Sequence, residues 1–383
     1  MSESYDFIIV GGGIAGVSAG YFLAPHGRVL LLERESALAY HTTGRSAALY
    51  TQAYGNAVIR ALTVAGHEFF ASPPAGFSEH EILTPRGAMF VGRTDQVDAL
   101  DRAAAEAQRF VNSIRRLDGS AAREIVPVLR PDYVGGAVLE PDAMDIDVHA
   151  LHLGFVRGMR HRGGTIVTKA VVLALSRTGA DWSVETPQGT WRAPVVVNAA
   201  GAWCDALAAI GGIAPVGLVP KRRTVIVFDP PDGVDCVGWP LTIDVDEEFY
   251  FKPDAGKLFA SPADETPMPP CDVQPEELDI AVAIDRIQTA TTMAIRRIEN
   301  PWAGLRSFVA DKSPVVGFDP GAPGFFWLAG QGGYGIQTAP ALGRITAALA
   351  RGEGLPAEFA DLGVSAGDLS PARAGIDASA TRE

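Results

Sequence analysis

Gly11, Gly13 and Gly16 stand at GxGxxG spacing, and Glu33 follows 20 residues after Gly13. These are the residue types a dinucleotide requires. Gly11 permits a tight turn, Gly13 lets the main chain approach a pyrophosphate, and Gly16 lets a helix lie close to its strands. An acid at Glu33's distance takes the ribose hydroxyls of a non-phosphorylated adenosine. Two more small-residue turns occur later, one through Ala199, Ala200 and Gly201 in VVVNAAGAWCDAL, the other in GQGGYGIQTAPALG. Both suit backbone approaching a ligand, or simply tight packing. Gly44, Arg45 and Ser46 lie in the polar segment from Ala39 to Gly55. They suit either the completion of a phosphate enclosure or an ordinary surface loop. His149 and His152, near Asp145 and Asp147, have a spacing that could ligate a metal. Isolated surface histidines are commoner, so no metal is expected. No Ser/His/Asp triad is needed for the chemistry inferred below.

The elements around the first turn agree with it. An apolar run, Phe7 to Val10, predicts a strand, Ile14 to Leu23 a small-residue helix, and Val29 to Leu32 a second strand ending at Glu33. The helix N-terminus offers unpaired N–H groups and positive dipole to phosphates. FAD and NAD share this fingerprint, and the stretch alone does not choose between them.

Farther on, helices are predicted over Arg60 to Phe70, Gln96 to Leu117, Ala150 to Arg160, Pro275 to Ile295 and Thr338 to Arg351. Strands are predicted over 81–83, 88–91, 165–175, 182–185, 193–198, 223–228, 249–252, 257–260 and 324–329. From Ile213 to about Asn300 prolines recur and the pattern becomes more antiparallel, as in a separate domain. Strand-turn-helix units at both ends and in the middle imply a nucleotide domain assembled from discontinuous segments.

With 383 residues, the chain suits two domains better than one compact core. Its 32 basic and 45 acidic residues give a formal charge of −13, which argues against nucleic acid or anionic membrane as partner. No apolar run approaches the roughly 18 residues that span a bilayer. The start, MSESYDF, lacks the basic region of a secretory signal. Cys204, Cys236 and Cys271 are widely separated and lack CxxC spacing, so reduced thiols and a cytoplasmic location are expected.

Up to about residue 350 the chain resembles the FAD-dependent oxidoreductases of the D-amino-acid oxidase type, which include sarcosine and glycine oxidases. The carriers are IIVGGGIAG with LLERE, HTTGRSAALY, VVNAAGAWCD and GQGGYGIQT. The blocks YHTTGRSAALYTQAYG, PKRRTVIVF, DEEFYFKPDAG and WAGLRSFVADKSPVVG look most like bacterial D-arginine dehydrogenases. The resemblance implies an α/β fold: a Rossmann-like FAD-binding domain (1–80, 145–212 and 301–362) and a sheet-based α+β substrate domain (81–144 and 213–300). A mobile tail is expected over 363–383. It also implies FAD phosphates near Gly11, Gly13, Ile14, Gly16, Arg45 and Ser46, Glu33 on the ribose, and Val171 and Val172 near adenine. Arg34, Gly44, Ala48, Ala200, Gly201 and Trp203 join the cofactor set, while Gly332, Gly333, Tyr334, Gly335, Ile336 and Gln337 would face the isoalloxazine. No cysteine lies between Arg306 and Val316, where sarcosine oxidases attach flavin, so FAD is expected to be non-covalent.

The activity implied is oxidation of an amino acid by hydride transfer from Cα to flavin, giving an imine that hydrolyses to a keto acid and ammonia. Arg306 and Arg223 match the positions that hold the substrate carboxylate, and an arginine fork suits that task. Lys221 and Arg222 beside Arg223 leave that choice less secure. Tyr54 and Tyr250 match hydroxyl-bearing residues over the substrate, with Gly333 and Tyr334 beside it. Where D-arginine dehydrogenases carry an acid, a histidine and a methionine, this chain has Ala88, Leu49 and Leu241. An apolar pocket leaves a cationic side chain uncompensated, so apolar or aromatic D-amino acids are expected over basic ones, although Glu247 and Glu248 could partly restore cation preference. Stereochemistry rests on the resemblance alone. The alternatives are a secondary amine such as sarcosine, a 2-hydroxy acid, a basic D-amino acid, and a non-catalytic FAD-binding subunit. The electron acceptor would be oxygen or a quinone or other carrier.

Overall fold

The computed structural model describes residues 3–376. Its nucleotide half is built on a six-stranded sheet ordered Thr165–Val167, Val29–Leu32, Phe7–Val10, Val195–Asn198, Phe325–Ala329 and Val315–Phe318. The first five strands run parallel and the last is antiparallel. Because both faces are covered, the strands read as continuous apolar runs such as FIIV, VLLL and FFWLA, all buried. On one face lie helices Ile14–Leu23, Val148–His161 and Gly335–Ala350. On the other lies a four-stranded sheet ordered Glu3–Ser4, Gly189–Ala193, Asp181–Thr186 and Ala174–Thr178, whose Leu175, Trp182, Val184 and Trp191 enter the core.

The second half is a nine-stranded sheet running from Thr266–Pro267 through Val219–Phe228, Lys257–Ser261, Tyr250–Asp254, Leu241–Asp244, Ala88–Gly92 and Gly136–Glu140 to Arg115–Asp118. Its ninth strand, Trp302–Phe308, was placed by sequence with the nucleotide segments, but it pairs antiparallel with Val219–Phe228. Helix Glu277–Ala290 covers one face through Ala283, Ile287 and Ala290.

Three further expectations need correction. The helix predicted over Gln96 to Leu117 spans only Val97–Gln108, after which the chain turns into strand Arg115–Asp118. Val111 and Ile114 are still buried, but Asn112 and Ser113 favour a turn over helix continuation. The run 165–175 breaks at Lys169, whose φ of +55° ends strand Thr165–Val167, and Ala174–Thr178 joins the other sheet. Part of the expected tail is packed. It contains helix Ala366–Leu369, buries Leu369 and Ile376, and clasps Asp311 through Arg373 at 2.6 and 2.9 Å. Residues 377–383 lie outside the described residues.

No helix among the described residues is long and apolar enough to cross a membrane.

Candidate active site

One cleft runs between the two sheets, from the Gly11 turn at one end to Arg306 at the other. At the nucleotide end, Gly11 has φ +116° and a Cβ there would lie 2.2 Å from the Ala199 carbonyl oxygen. A Cβ at Gly16 would lie 1.9 Å from the Gly11 carbonyl oxygen, so the turn closes only on glycine. Glu33, nearly buried, accepts from the Gly12 N–H at 2.7 Å and the Glu35 N–H at 2.8 Å. Thr43 Oγ1 accepts from the Ile14 N–H at 3.0 Å. His152 Nε2–H donates to the Gly12 carbonyl at 3.0 Å, which gives this histidine a structural task; burial holds its pKa below the ordinary value. Among the described residues no group of three or more His, Cys, Asp or Glu could hold a metal.

The remaining walls at this end come from Val171, Val172, Ala200, Gly201 and Trp203. Arg34 lies over the Trp203 ring at 4.8 Å, with His41 tilted against it at 4.6 Å. Ser46 and Ala48 line the cleft, as does Arg45. The Arg45 guanidinium is already engaged by Asp272 at 2.5 Å and by the Val273 and Ala303 carbonyls, so its side chain acts as a strut. Gly44 and Gly16 sit behind the wall, in tight turns where a Cβ would strike backbone.

At the far end the turn before helix Gly335–Ala350 closes the cleft. Gly332 has φ +55°, and a Cβ there would lie 2.1 Å from the Phe308 ring. Gly333, Gly335, Ile336 and Gln337 line the cleft; Tyr334 lies outside that wall, facing a neighbouring cavity. Gln337 is fixed from behind, donating to Thr63 Oγ1 at 3.0 Å.

The two arginines reach the cleft by strand alternation. Lys221 pairs with Arg306 and Arg223 with Gly304, so Arg223 and Arg306 share a face of the sheet while Arg222 faces away. Arg222 is buried among Asp264, Glu276 and Asp279. Arg223 Nε donates to the Asp264 carbonyl at 2.9 Å, and its Nη2 reaches Glu265 at 3.4 Å. Arg306 differs from both: among the described residues it has no carboxylate partner and no side-chain hydrogen bond. Its guanidinium lies against Gly333, where a Cβ would come within 3.0 Å of Nη1. Burial opposes its charge, but Tyr250, Tyr54, Tyr334 and Glu247 hold its pKa above the ordinary value.

The hydroxyls surround that cation. Tyr54 donates to Glu247 at 3.4 Å and its ring meets that of Tyr334 at 5.1 Å. Burial, then Glu247, raises the Tyr54 pKa; burial and then Tyr54 and Glu247 raise that of Tyr334. Tyr250 sits in an apolar cluster with Leu49, Leu241 and Ala88. Leu49 and Leu241 line the cleft, whereas Ala88 is fully buried beside Leu241, its partner on the adjacent strand. Thr43, Thr51, Glu140 and Glu265 carry no local sign in the sequence, because their partners are distant in the chain; His152, considered there only for its metal-ligand spacing, holds the Gly12 carbonyl instead.

Two helix N-termini opening onto one cleft, a turn closed only by glycine and a buried acid 20 residues past Gly13 fit a flavin dinucleotide. They define an FAD-dependent oxidoreductase. The chain belongs to the FAD dependent oxidoreductase (DAO) family, which matches residues 6–349. It is 25% identical over 362 residues to human mitochondrial dimethylglycine dehydrogenase, covering 88% of this chain and 42% of that protein. It is 24% identical over 376 residues to N-methyl-L-tryptophan oxidase of Salmonella agona (strain SL483), covering 91% of this chain and 95% of that one. The chain thus spans about two fifths of the dimethylglycine dehydrogenase length. Among solved structures, glycine oxidase from Geobacillus kaustophilus matches with TM-score 0.80 at 20% identity, over 92% of this chain and 96% of that one.

Proposed function

We propose that this enzyme oxidises α-amino acids, of the D series and with apolar or aromatic side chains favoured over basic ones, to 2-keto acids and ammonia. The observation that carries the reading is Arg306: a cation with no acid partner among the described residues, at the closed end of the cofactor cleft. A half-buried guanidinium without a counterion is costly unless a ligand supplies one, and a carboxylate matches its fork. Arg223, on the same face, is positioned to assist, although Glu265 takes part of its charge.

FAD, when bound, supplies the hydride acceptor. The chain's own groups do the positioning. Arg306 fixes the carboxylate and thereby the direction of the Cα–H bond. Tyr54 and Tyr334, with raised pKa values, stay phenolic near neutral pH and do not act as phenolate bases; Tyr54 lines the cleft with its O–H on Glu247, and Tyr334 backs its ring. Leu49, Leu241 and Ile243 present an apolar wall to the side chain, which favours apolar groups and leaves a guanidinium or ammonium unpaired. The imine that forms is hydrolysed by water.

A second reading keeps the site and changes the amine. Dimethylglycine dehydrogenase, N-methyl-L-tryptophan oxidase and glycine oxidase are named for carboxylate-bearing amines, two of them N-methylated. The same guanidinium would serve sarcosine or a related secondary amine, and equally a 2-hydroxy acid. A D-arginine dehydrogenase-like preference has less support, since Glu247, the acid at the cleft, already accepts from Tyr54. We place the reaction in the cytoplasm, with oxygen or a quinone or other carrier taking the electrons. The test is turnover of D-, L- and N-methyl amino acids with an artificial electron acceptor. Preference for D-Arg over D-Leu, D-Met and D-Phe would overturn the side-chain assignment.

A further inference from the structure

Glu140 ends strand Gly136–Glu140 with its side chain only 2% exposed. A buried carboxylate normally has a cation beside it. Arg60, whose charge Glu140 supports at longer range, pairs instead with Glu106 at 3.8 Å. What Glu140 holds is a turn of the main chain. Its Oε2 accepts from Thr51 Oγ1 at 2.5 Å and its Oε1 from the Gln52 N–H at 3.0 Å. Each carboxyl oxygen thus holds a donor from one of two successive residues.

The next residue is Tyr54. Other polar contacts of this turn are longer, apart from Gln52 Nε2 donating to the Tyr50 hydroxyl at 2.9 Å. The Thr51 N–H reaches Gln337 Oε1 only at 3.4 Å, and the Tyr54 hydroxyl reaches Glu247 at the same long distance. On its outer side the turn borders a second cavity, where its packing comes from Ala53, in a cluster with Leu100, Ala104 and Val138, and from the Tyr54 ring against Tyr334. Hydrogen bonds fix its main chain. Those to Glu140 are short, buried and made to a carboxyl, hence the strongest available.

We infer that Glu140 is a positioning residue for Tyr54: its carboxylate gathers the donors of Thr51 and Gln52 and holds the turn that delivers the tyrosine to the Arg306 end of the cleft. Its kinetic consequence rests on the proposed function, because it treats that end as the substrate end.

The experiment uses FAD-loaded protein and two readouts. Glu140→Gln keeps the shape but removes the charge and leaves one acceptor oxygen for the donors of Thr51 and Gln52. Amide hydrogen exchange at 51–55 should rise at least about tenfold relative to wild type, with the flavin spectrum and exchange elsewhere unchanged. With the best amino acid of the substrate panel, KM should rise about tenfold, as for one lost charge-assisted hydrogen bond, and kcat should fall less. In a Tyr54→Ala background the same substitution should change kcat/KM by no more than about twofold, because its effect runs through Tyr54. Should Glu140→Gln fail to fold, Thr51→Val removes one donor and leaves the carboxylate, and should give the same local rise in exchange. Unchanged protection at 51–55, or an undiminished effect of Glu140→Gln without Tyr54, overturns the inference. If no amino acid on the panel is oxidised, the proposed function fails, while the exchange measurement still decides the role of Glu140.

Discussion

Replacing Arg306 by Met removes the guanidinium and keeps most of the side-chain length. Because Arg306 has no carboxylate partner among the described residues, the substitution leaves no buried acid orphaned. Burial works against its charge while Tyr250, Tyr54, Tyr334 and Glu247 work for it; with the two opposed and no ion pair lost, folding stability should change by no more than about 1 kcal/mol. Binding should suffer far more. Truncating one partner of a buried, hydrogen-bonded charge pair costs roughly 2–5 kcal/mol. At about 1.4 kcal/mol per decade this is roughly a 30- to 3000-fold loss of kcat/KM. Arg306→Lys should fall between, because the charge stays and the planar fork is lost. The assay is steady-state turnover of the preferred amino acid, with flavin content from the visible spectrum and a thermal melt on the same samples. A variant that stays yellow and stable while losing activity supports the reasoning. Loss of flavin, or activity within about threefold of wild type, would refute it.

Two further outcomes follow from the neighbouring groups. Arg222→Met strips the cation from Asp264, Glu276 and Asp279 on the far face of the same strand. It should cost about 3–5 kcal/mol of stability, read by denaturant unfolding, while kcat/KM of the folded protein stays close to wild type. His152 has a pKa lowered from the ordinary 6.5 by burial. The folded state therefore binds fewer protons than the unfolded one, and stability is retained above 6.5 and lost as pH falls below it. Melting temperature and FAD retention measured from neutral pH downward should show this loss, and His152→Gln, which does not titrate, should reduce it.

The nucleotide half was legible because its information is local. Strand, turn, helix, second strand and acid all lie between Phe7 and Glu33, and the parallel pairing of Phe7–Val10 with Val29–Leu32 follows from that unit. The substrate end is built from long-range pairings that periodicity cannot show. Arg222 and Arg223 are equivalent in a one-dimensional reading, and only the pairing with Trp302–Phe308 assigns one to the cleft and the other to an acid cluster. Ala88, aligned with a pocket acid, is fully buried beside Leu241, a pairing between strands far apart in the chain that periodicity does not show. Glu140 and Thr51 are 89 residues apart, and neither carries a local sign of the other. Tyr334, expected beside the isoalloxazine, packs its ring against Tyr54 and lines the neighbouring cavity, a placement set by contacts distant in the chain.

The central claim is that Arg306 reads a substrate carboxylate. It is tested most directly by anaerobic bleaching of the flavin band with paired compounds: amino acids of both configurations and N-methyl amino acids, each beside its methyl ester. The account predicts rapid bleaching by a free amino acid of apolar side chain, no comparable bleaching by its ester, and loss of the distinction in Arg306→Met. Equal bleaching by acid and ester in the wild-type enzyme would contradict it.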